Sequence, residues 1–139
     1  MTLISRLHPL LVHFPIALVL AAAGAECAVI ATTRSAWRTV AVANIRAAAA
    51  IGVVTAITGW IFATSPLVDL GPTLEWHRWL GMAGATAAIG VALLSFRLRG
   101  ASPRSALAYR CMLFVTALLV TVTAHSGGTL VWGAGFLRP

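Results

Sequence analysis

Imidazole side chains are the groups in this sequence best suited to chemistry, and there are four of them: His8, His13, His77 and His125. Imidazole nitrogens bind transition metals and serve as axial ligands of haem iron. The four histidines are far apart in the chain, but each lies close to one end of a long apolar segment. Because an ionisable residue inside a membrane span is costly and usually faces the bundle interior, this placement predicts a shared ligand set.

The elements that would position these histidines are four apolar segments, at about 8–31, 39–64, 73–96 and 105–126. Each is long enough for a helix that crosses a bilayer core of about 30 Å. The chain is 60% hydrophobic and only 9% charged, which argues against a water-soluble domain. We therefore predict an all-α fold, an integral membrane four-helix up-down bundle that forms a single transmembrane domain over 1–139. Gly127 and Gly128 should end the fourth helix and begin a short interfacial tail.

The charged residues predict the orientation of this bundle. Ten arginines and three acids give a formal net charge of +7, a balance often found in nucleic-acid-binding proteins. Here the arginines lie at the ends of apolar runs, so the balance indicates membrane topology and no nucleic-acid partner. Those between segments one and two and between three and four mark the cytoplasmic side: Arg34, Arg38, Arg97, Arg99 and Arg104. We expect a multi-pass protein of the bacterial inner membrane, with both termini and all four histidines on the opposite side. On that side Asp69 and Glu75 reduce the net positive charge of Arg6, Arg78 and Arg138.

His13, His77 and His125 are the first candidates for a ligand set. His8 and His13 differ by five positions, which is about 140° around a helix, so they cannot both face one iron atom. His13 lies deeper and is expected to be the better buried of the two. Since the first and third helices face each other diagonally across a bundle, His13 and His77 form the preferred pair. His125 would then donate a hydrogen bond or hold a second site.

Residues near His77 extend this candidate site. Gly81 and Gly84 follow it inward at helical spacing and would leave room for a flat macrocycle, although small residues at this spacing also indicate tight helix packing. Arg78 or Arg6 would bind haem propionates. Near the other histidines, Pro15 should free the carbonyl of Leu11 and bend the first helix.

Three stretches of sequence resemble one protein family. They are the run from Leu7 to Ala17 (LHPLLVHFPIA), the run from His77 to Gly81 (HRWLG) and the run from His125 to Val131 (HSGGTLV). Together they resemble the domain-of-unknown-function 2231 family of bacterial four-helix membrane proteins. The resemblance implies a four-helix membrane domain in which all four histidines are signature positions. Some members are fused to c-type cytochrome modules, which implies electron transfer.

These observations predict a membrane-embedded, b-type haem-binding protein or subunit for electron transfer, with bis-histidine ligation near the periplasmic face. No CxxCH motif is present for covalent haem attachment. Its expected partners are the lipid bilayer, a c-type cytochrome, or a larger respiratory or photosynthetic complex. One alternative is a copper or zinc site made by His8, His13, His77 and His125 at the membrane surface. Another is a structural accessory subunit. An electron-transfer subunit fits better than a stand-alone enzyme, because GxSxG, P-loop and HExxH motifs are absent.

Glu26 is an acid placed well inside the first predicted helix, towards its cytoplasmic end. Arg46 and Arg110 lie at a similar depth on the second and fourth helices. An unpaired carboxylate would be costly there, so we expect Glu26 to form an ion pair with one of the two arginines. The alternative is that each arginine extends separately to the lipid headgroups.

Overall fold

The computed structural model describes residues 6–65, 71–98, 100, 102–133 and 135, and these residues form helices without any strand. In chain order the helices are α1 (His8–Leu11), α2 (His13–Thr32), α3 (Ser35–Phe62), α4 (Pro72–Ser95) and α5 (Pro103–Trp132). Four spans are long and apolar enough to cross a membrane, the first being α1 and α2 together. The predicted all-α fold with four membrane-spanning helices is confirmed.

The helix ends differ from the predicted ones mainly at α3 and α5. The second span begins at Ser35 rather than near residue 39, and the fourth continues through Gly127 and Gly128 as far as Trp132. The predicted tail therefore begins only after Trp132, and its residues 134 and 136–139 lie outside the described part of the chain. Backbone groups in a bilayer must be satisfied within the segment, which favours continuing the helix even through a pair of glycines.

A break at Val12 separates α1 from α2. Pro15 has no backbone N–H, so it cannot pair with the carbonyl of Leu11, where α1 ends. The predicted loss of this hydrogen bond coincides with the end of α1, while Val12 keeps helical dihedral angles of φ −58° and ψ −30°, so α1 and α2 continue as one span. Short α1 packs against α3 as well as against α2.

The helices form a closed ring. Each long helix packs against its neighbours in the chain, and α5 returns to pack against α2. The core between them consists largely of small side chains, which let helices approach closely; its buried members include Ala22, Ala48, Ala49, Ala88 and Ala92. A bundle built in this way leaves little free volume along its axis, so polar groups gather near its two ends.

Glu26 occupies the end of the bundle opposite the histidines and is completely buried. Its Oε1 atom accepts hydrogen bonds from Nη2 of Arg38 at 2.6 Å and from Nε of Arg110 at 2.8 Å. The expected ion pair with one of two arginines is thus confirmed for Arg110, and Arg38 is an additional partner. Arg46 instead donates to Oγ of Ser95 at 2.8 Å.

This cluster connects three helices, because Glu26 belongs to α2, Arg38 to α3 and Arg110 to α5. The two arginine side chains keep 22% and 33% of their surface exposed, whereas the carboxylate has none. Removing the carboxylate charge would leave two neighbouring guanidinium groups without a counter-ion. Breaking one side of a buried ion pair is much more costly than losing an exposed one.

We expect Glu26→Gln to lower the free energy of unfolding in detergent by about 2 kcal/mol or more, since the variant keeps the side-chain shape and loses only the charge. The measurement is the thermal unfolding midpoint of the purified protein. Glu75→Gln is the matched control, because Glu75 is an exposed acid in the first turn of α4. Equal midpoints for the two variants would contradict the structural role of Glu26.

Candidate functional site

Two of the four histidines, His8 and His77, meet at one end of the bundle. Their ring centroids are 6.5 Å apart and the ring planes are nearly perpendicular, at 76°. His8 is the first residue of α1 and His77 lies in the second turn of α4. Both side chains are half-buried. The antiparallel arrangement of the helices thus brings together residues that are far apart in the chain.

Each of these imidazoles is oriented by a backbone carbonyl of a neighbouring helix. Nδ1 of His8 lies 3.1 Å from the carbonyl oxygen of Thr55, and Nδ1 of His77 lies 3.1 Å from that of Thr123. A carbonyl only accepts, so each Nδ1 must carry the proton and donate it. In the neutral imidazole, Nε2 then keeps its lone pair. This is the arrangement in which a protein holds a histidine that ligates a metal through Nε2.

Ser126 adds a second contact to His77. Its Oγ lies 3.1 Å from Nδ1 of His77 and itself donates to the carbonyl of Thr123 at 2.9 Å. The hydroxyl and the carbonyl therefore hold the same ring edge, which restricts rotation of the imidazole.

Glycines lie directly beneath both rings. A Cβ atom at Gly59 would lie 2.5 Å from Cε1 of His8, and one at Gly127 would lie 3.0 Å from Cε1 of His77. The first distance is shorter than a van der Waals contact and the second is very tight, so larger residues would displace the imidazoles. Gly127 thus has a use inside α5, where the sequence had indicated only a helix end. Gly59 lies on the same face of α3 as Gly52 and Thr55, at helical spacing. This spacing of small residues did not indicate that an imidazole packs against Gly59.

His13 and His125 have a different environment, since both side chains are exposed on the outer surface of the bundle. The order of burial is the reverse of the predicted one, because His8 is better buried than His13. His8 and His13 lie about 140° apart around the helix, so His8 packs towards α3 while His13 faces outward at the start of α2. The structure therefore joins His8, and not His13, to His77. Among the described residues, no three His, Cys, Asp or Glu side chains are grouped closely enough to hold a metal ion.

Gly81 and Gly84 lie at the interface between α4 and α5. A Cβ atom at Gly84 would lie 3.4 Å from Cγ1 of Val120, and one at Gly81 would lie 3.7 Å from Cγ2 of Thr123. Side chains of α5 thus fill the space beside these glycines. The sequence left two interpretations of Gly81 and Gly84, room for a macrocycle or close packing of helices. Close packing of α4 and α5 accounts for the observed contacts.

Arg78 and several tryptophans surround the histidine pair. The guanidinium carbon of Arg78 lies 3.8 Å from the centroid of a Trp60 ring, a cation–π contact. Its Nε is buried and has no hydrogen-bond partner within the described residues. Arg6 is exposed, and Asp69 lies outside the described part of the chain. Exposed tryptophans such as these are typical of the interface between a membrane and water: Trp60, Trp76, Trp79 and Trp132.

We expect Gly59→Ala to displace His8 from the Thr55 carbonyl, because the added methyl group would overlap the imidazole. Gly52→Ala is the matched control on the same helix, where the nearest atom would lie 4.0 Å from the new Cβ. The measurement is the ¹⁵N NMR spectrum of protein labelled at histidine. A ring fixed in the Nδ1–H tautomer gives two well-separated signals, one for Nδ1 and one for Nε2. An unchanged His8 signal in Gly59→Ala would contradict the observed packing.

Comparison with known proteins identifies a family without an assigned activity. Residues 5–137 match the model of a family described as "Predicted membrane protein (DUF2231)". No curated protein matches the chain, and no solved structure does.

Proposed function

The chain belongs to the DUF2231 family, and we propose that it is a membrane-embedded b-type haem protein that transfers electrons, with His8 and His77 as axial ligands. The family description names a membrane protein and gives no activity. The proposal therefore rests on one observation, the pair of imidazoles held by backbone carbonyls with both Nε2 atoms left to bind. His77 was part of the preferred pair from sequence, and His8 takes the place of His13.

The closeness of the two rings supports a role for both in holding one haem, since their centroids lie 6.5 Å apart. The Nδ1–H donors to Thr55 and Thr123 would also make Nε2 a stronger ligand.

Arg78 supports the choice of haem over a bare ion. A buried Nε without a partner is costly, and a carboxylate is the acceptor that best compensates a guanidinium group. A haem propionate would supply such a carboxylate next to His77. In this proposal the haem supplies one-electron redox chemistry, while the chain orients the ligands and shields them from water. The donor would be a quinol pool or an enzyme, and the acceptor a c-type cytochrome or a larger respiratory or photosynthetic complex.

A metal ion held by the same two histidines is the second candidate. The contacts of Gly81 and Gly84 with α5 favour this second candidate, because no room is left for a macrocycle beside these glycines. A macrocycle would have space only towards the end of the bundle. A single ion would fit between the rings as they stand. Copper suits this site better than zinc, because zinc sites use three or four protein ligands and the described residues bring together two.

An optical spectrum with parallel metal analysis of the detergent-purified protein tests both candidates. We expect a reduced-minus-oxidised spectrum of low-spin haem that His8→Ala and His77→Ala abolish and added imidazole partly restores. His13→Ala and His125→Ala are the matched controls and should keep the spectrum, since both side chains are exposed. Glu26→Gln should keep it as well.

Other outcomes would change the conclusion. Colourless protein with stoichiometric copper, lost in the His8 and His77 variants alone, would replace haem by the second candidate. Protein with neither haem nor metal would contradict both and favour a structural accessory role. Loss of haem in His13→Ala with retention in His8→Ala would contradict the assigned pair.

We further propose that the protein lies in the bacterial inner membrane with the histidine pair on the periplasmic side. The distribution of arginines supports this orientation, because cytoplasmic connections carry an excess of positive residues. The end opposite the histidines carries Arg34, Arg38, Arg97 and Arg104. The histidine end has Arg6 and Arg78, with Glu75 beside them; Arg99 and Arg138 lie outside the described residues.

Reporter fusions test this orientation. Alkaline phosphatase fused after the C-terminus should be active and a fluorescent protein dark, because only phosphatase matures outside the cytoplasm. A fusion inserted after Leu98, between α4 and α5, is the control and should give the opposite pair of signals. Identical signals at the two positions would contradict the antiparallel spans, and a complete reversal would contradict the orientation.

A further inference from the structure

The end of the bundle opposite the histidines carries more positive charge than its own acid can balance. The Glu26 carboxylate accepts from Arg38 and Arg110. Arg46 and Arg97 lie at the same end without an ion-pair partner among the described residues. Because guanidinium groups in a membrane are stabilised by anions, this end is suited to bind an anion.

Arg46 is held in a fixed position by two neighbours on the α4 side. Its Nε donates to Oγ of Ser95, and its guanidinium carbon lies 3.6 Å from the centroid of the Phe96 ring. These contacts use one of its nitrogens and one face of its plane. The terminal nitrogens of Arg46 have no partner among the described residues, so they remain able to bind an anion in bidentate geometry.

An apolar groove begins beside this arginine. It has a volume of about 580 Å³ and lies on the outer surface of α4 and α5, lined by Gly90, Leu93, Leu94, Phe96, Arg97 and Met112. Arg97 is the one charged residue in this lining and it lies at the end of the groove, just beyond α4. The Phe96 ring belongs both to the groove wall and to the contact with Arg46. The groove and the two unpaired arginines are therefore continuous.

We propose that this continuous surface binds an acidic phospholipid, with its phosphate on Arg46 and Arg97 and one acyl chain in the groove. Guanidinium groups form strong, charge-assisted hydrogen bonds with phosphate. Basic pockets next to membrane helices are a known mode of binding for anionic lipid headgroups. A zwitterionic lipid carries the same phosphate together with a cationic group, so the arginines would gain less from it. The groove explains why a lipid, and not a free phosphate ion, is the ligand.

Native mass spectrometry of the delipidated protein in detergent provides the test. Phosphatidylglycerol and phosphatidylcholine with identical acyl chains are added at equal concentration, and bound lipids are counted. We expect the unmodified protein to prefer phosphatidylglycerol by about thirtyfold, which corresponds to about 1 kcal/mol for each of the two arginines near an anionic headgroup. The double variant Arg46→Gln/Arg97→Gln should lose this preference.

Arg34→Gln/Arg104→Gln is the matched control. It removes the same charge from the same end, but both arginines are exposed and neither belongs to the groove lining. It should keep the preference for phosphatidylglycerol. Equal losses in the two double variants would overturn the proposal in favour of unspecific attraction. Arg97→Gln alone is a safeguard against misfolding, since Arg97 is exposed, and it should lose a measurable part of the preference.

Two further ligands separate the lipid from its headgroup. Phosphatidylglycerol with short acyl chains should bind about tenfold more weakly than the long-chain lipid, because most of the apolar contact in the groove is lost. Glycerol 3-phosphate should not displace the long-chain lipid. Equal binding of short and long chains, or displacement by glycerol 3-phosphate, would overturn the groove as the site of the acyl chain.

Discussion

The arrangement of this protein depends on one constraint: in an apolar membrane, each polar group must find a partner within the chain or at a bundle end. The core uses small apolar residues such as Ala22 and Ala48, and a hydroxyl buried within the bundle, that of Thr116, donates to the carbonyl of Met112 in its own helix. Imidazoles and guanidinium groups are concentrated near the two ends. The carbonyls of Thr55 and Thr123, which already belong to helices, accept additional hydrogen bonds there and orient His8 and His77.

The two ends differ in how they satisfy this constraint. At one end imidazoles donate to backbone carbonyls, and Arg78 contacts the Trp60 ring. At the other end Glu26 compensates only part of the charge of the surrounding arginines. His77 and Ser95 mark the two ends of α4 and are about 27 Å apart along its axis, given a rise of about 1.5 Å per residue. This distance separates the polar clusters by nearly the thickness of a bilayer core, so a change at the arginine end should reach the histidines only through helix packing.

The sequence predicted those features that depend on local chemistry. The four spans followed from the length of their apolar runs, the break before His13 followed from Pro15, and pairing of Glu26 with Arg110 followed from the cost of burying a carboxylate. The choice between His8 and His13 depended on tertiary structure. The packing of α1 against α3 places His8 over Gly59, and this contact between helices distant in the chain cannot be read from the sequence. Gly127 was likewise interpreted as a helix end, because its contact with His77 depends on the relative register of α4 and α5.

The geometry of the histidine pair also limits the chemistry that we propose for it. If both axial positions of an iron are occupied by His8 and His77, no position remains for oxygen or a substrate, which favours electron transfer over catalysis. A carbonyl contact on the Nδ1 edge of each ring, with a hydroxyl contact in addition at His77, resists displacement of the imidazoles. In the proposed function, side chains fixed in this way would hold a haem with little change in their positions, which would suit electron transfer. The glycines beneath the rings also help to hold the imidazoles in place, because they let α3 and α5 approach closely enough for their carbonyls to accept the hydrogen bonds from Nδ1.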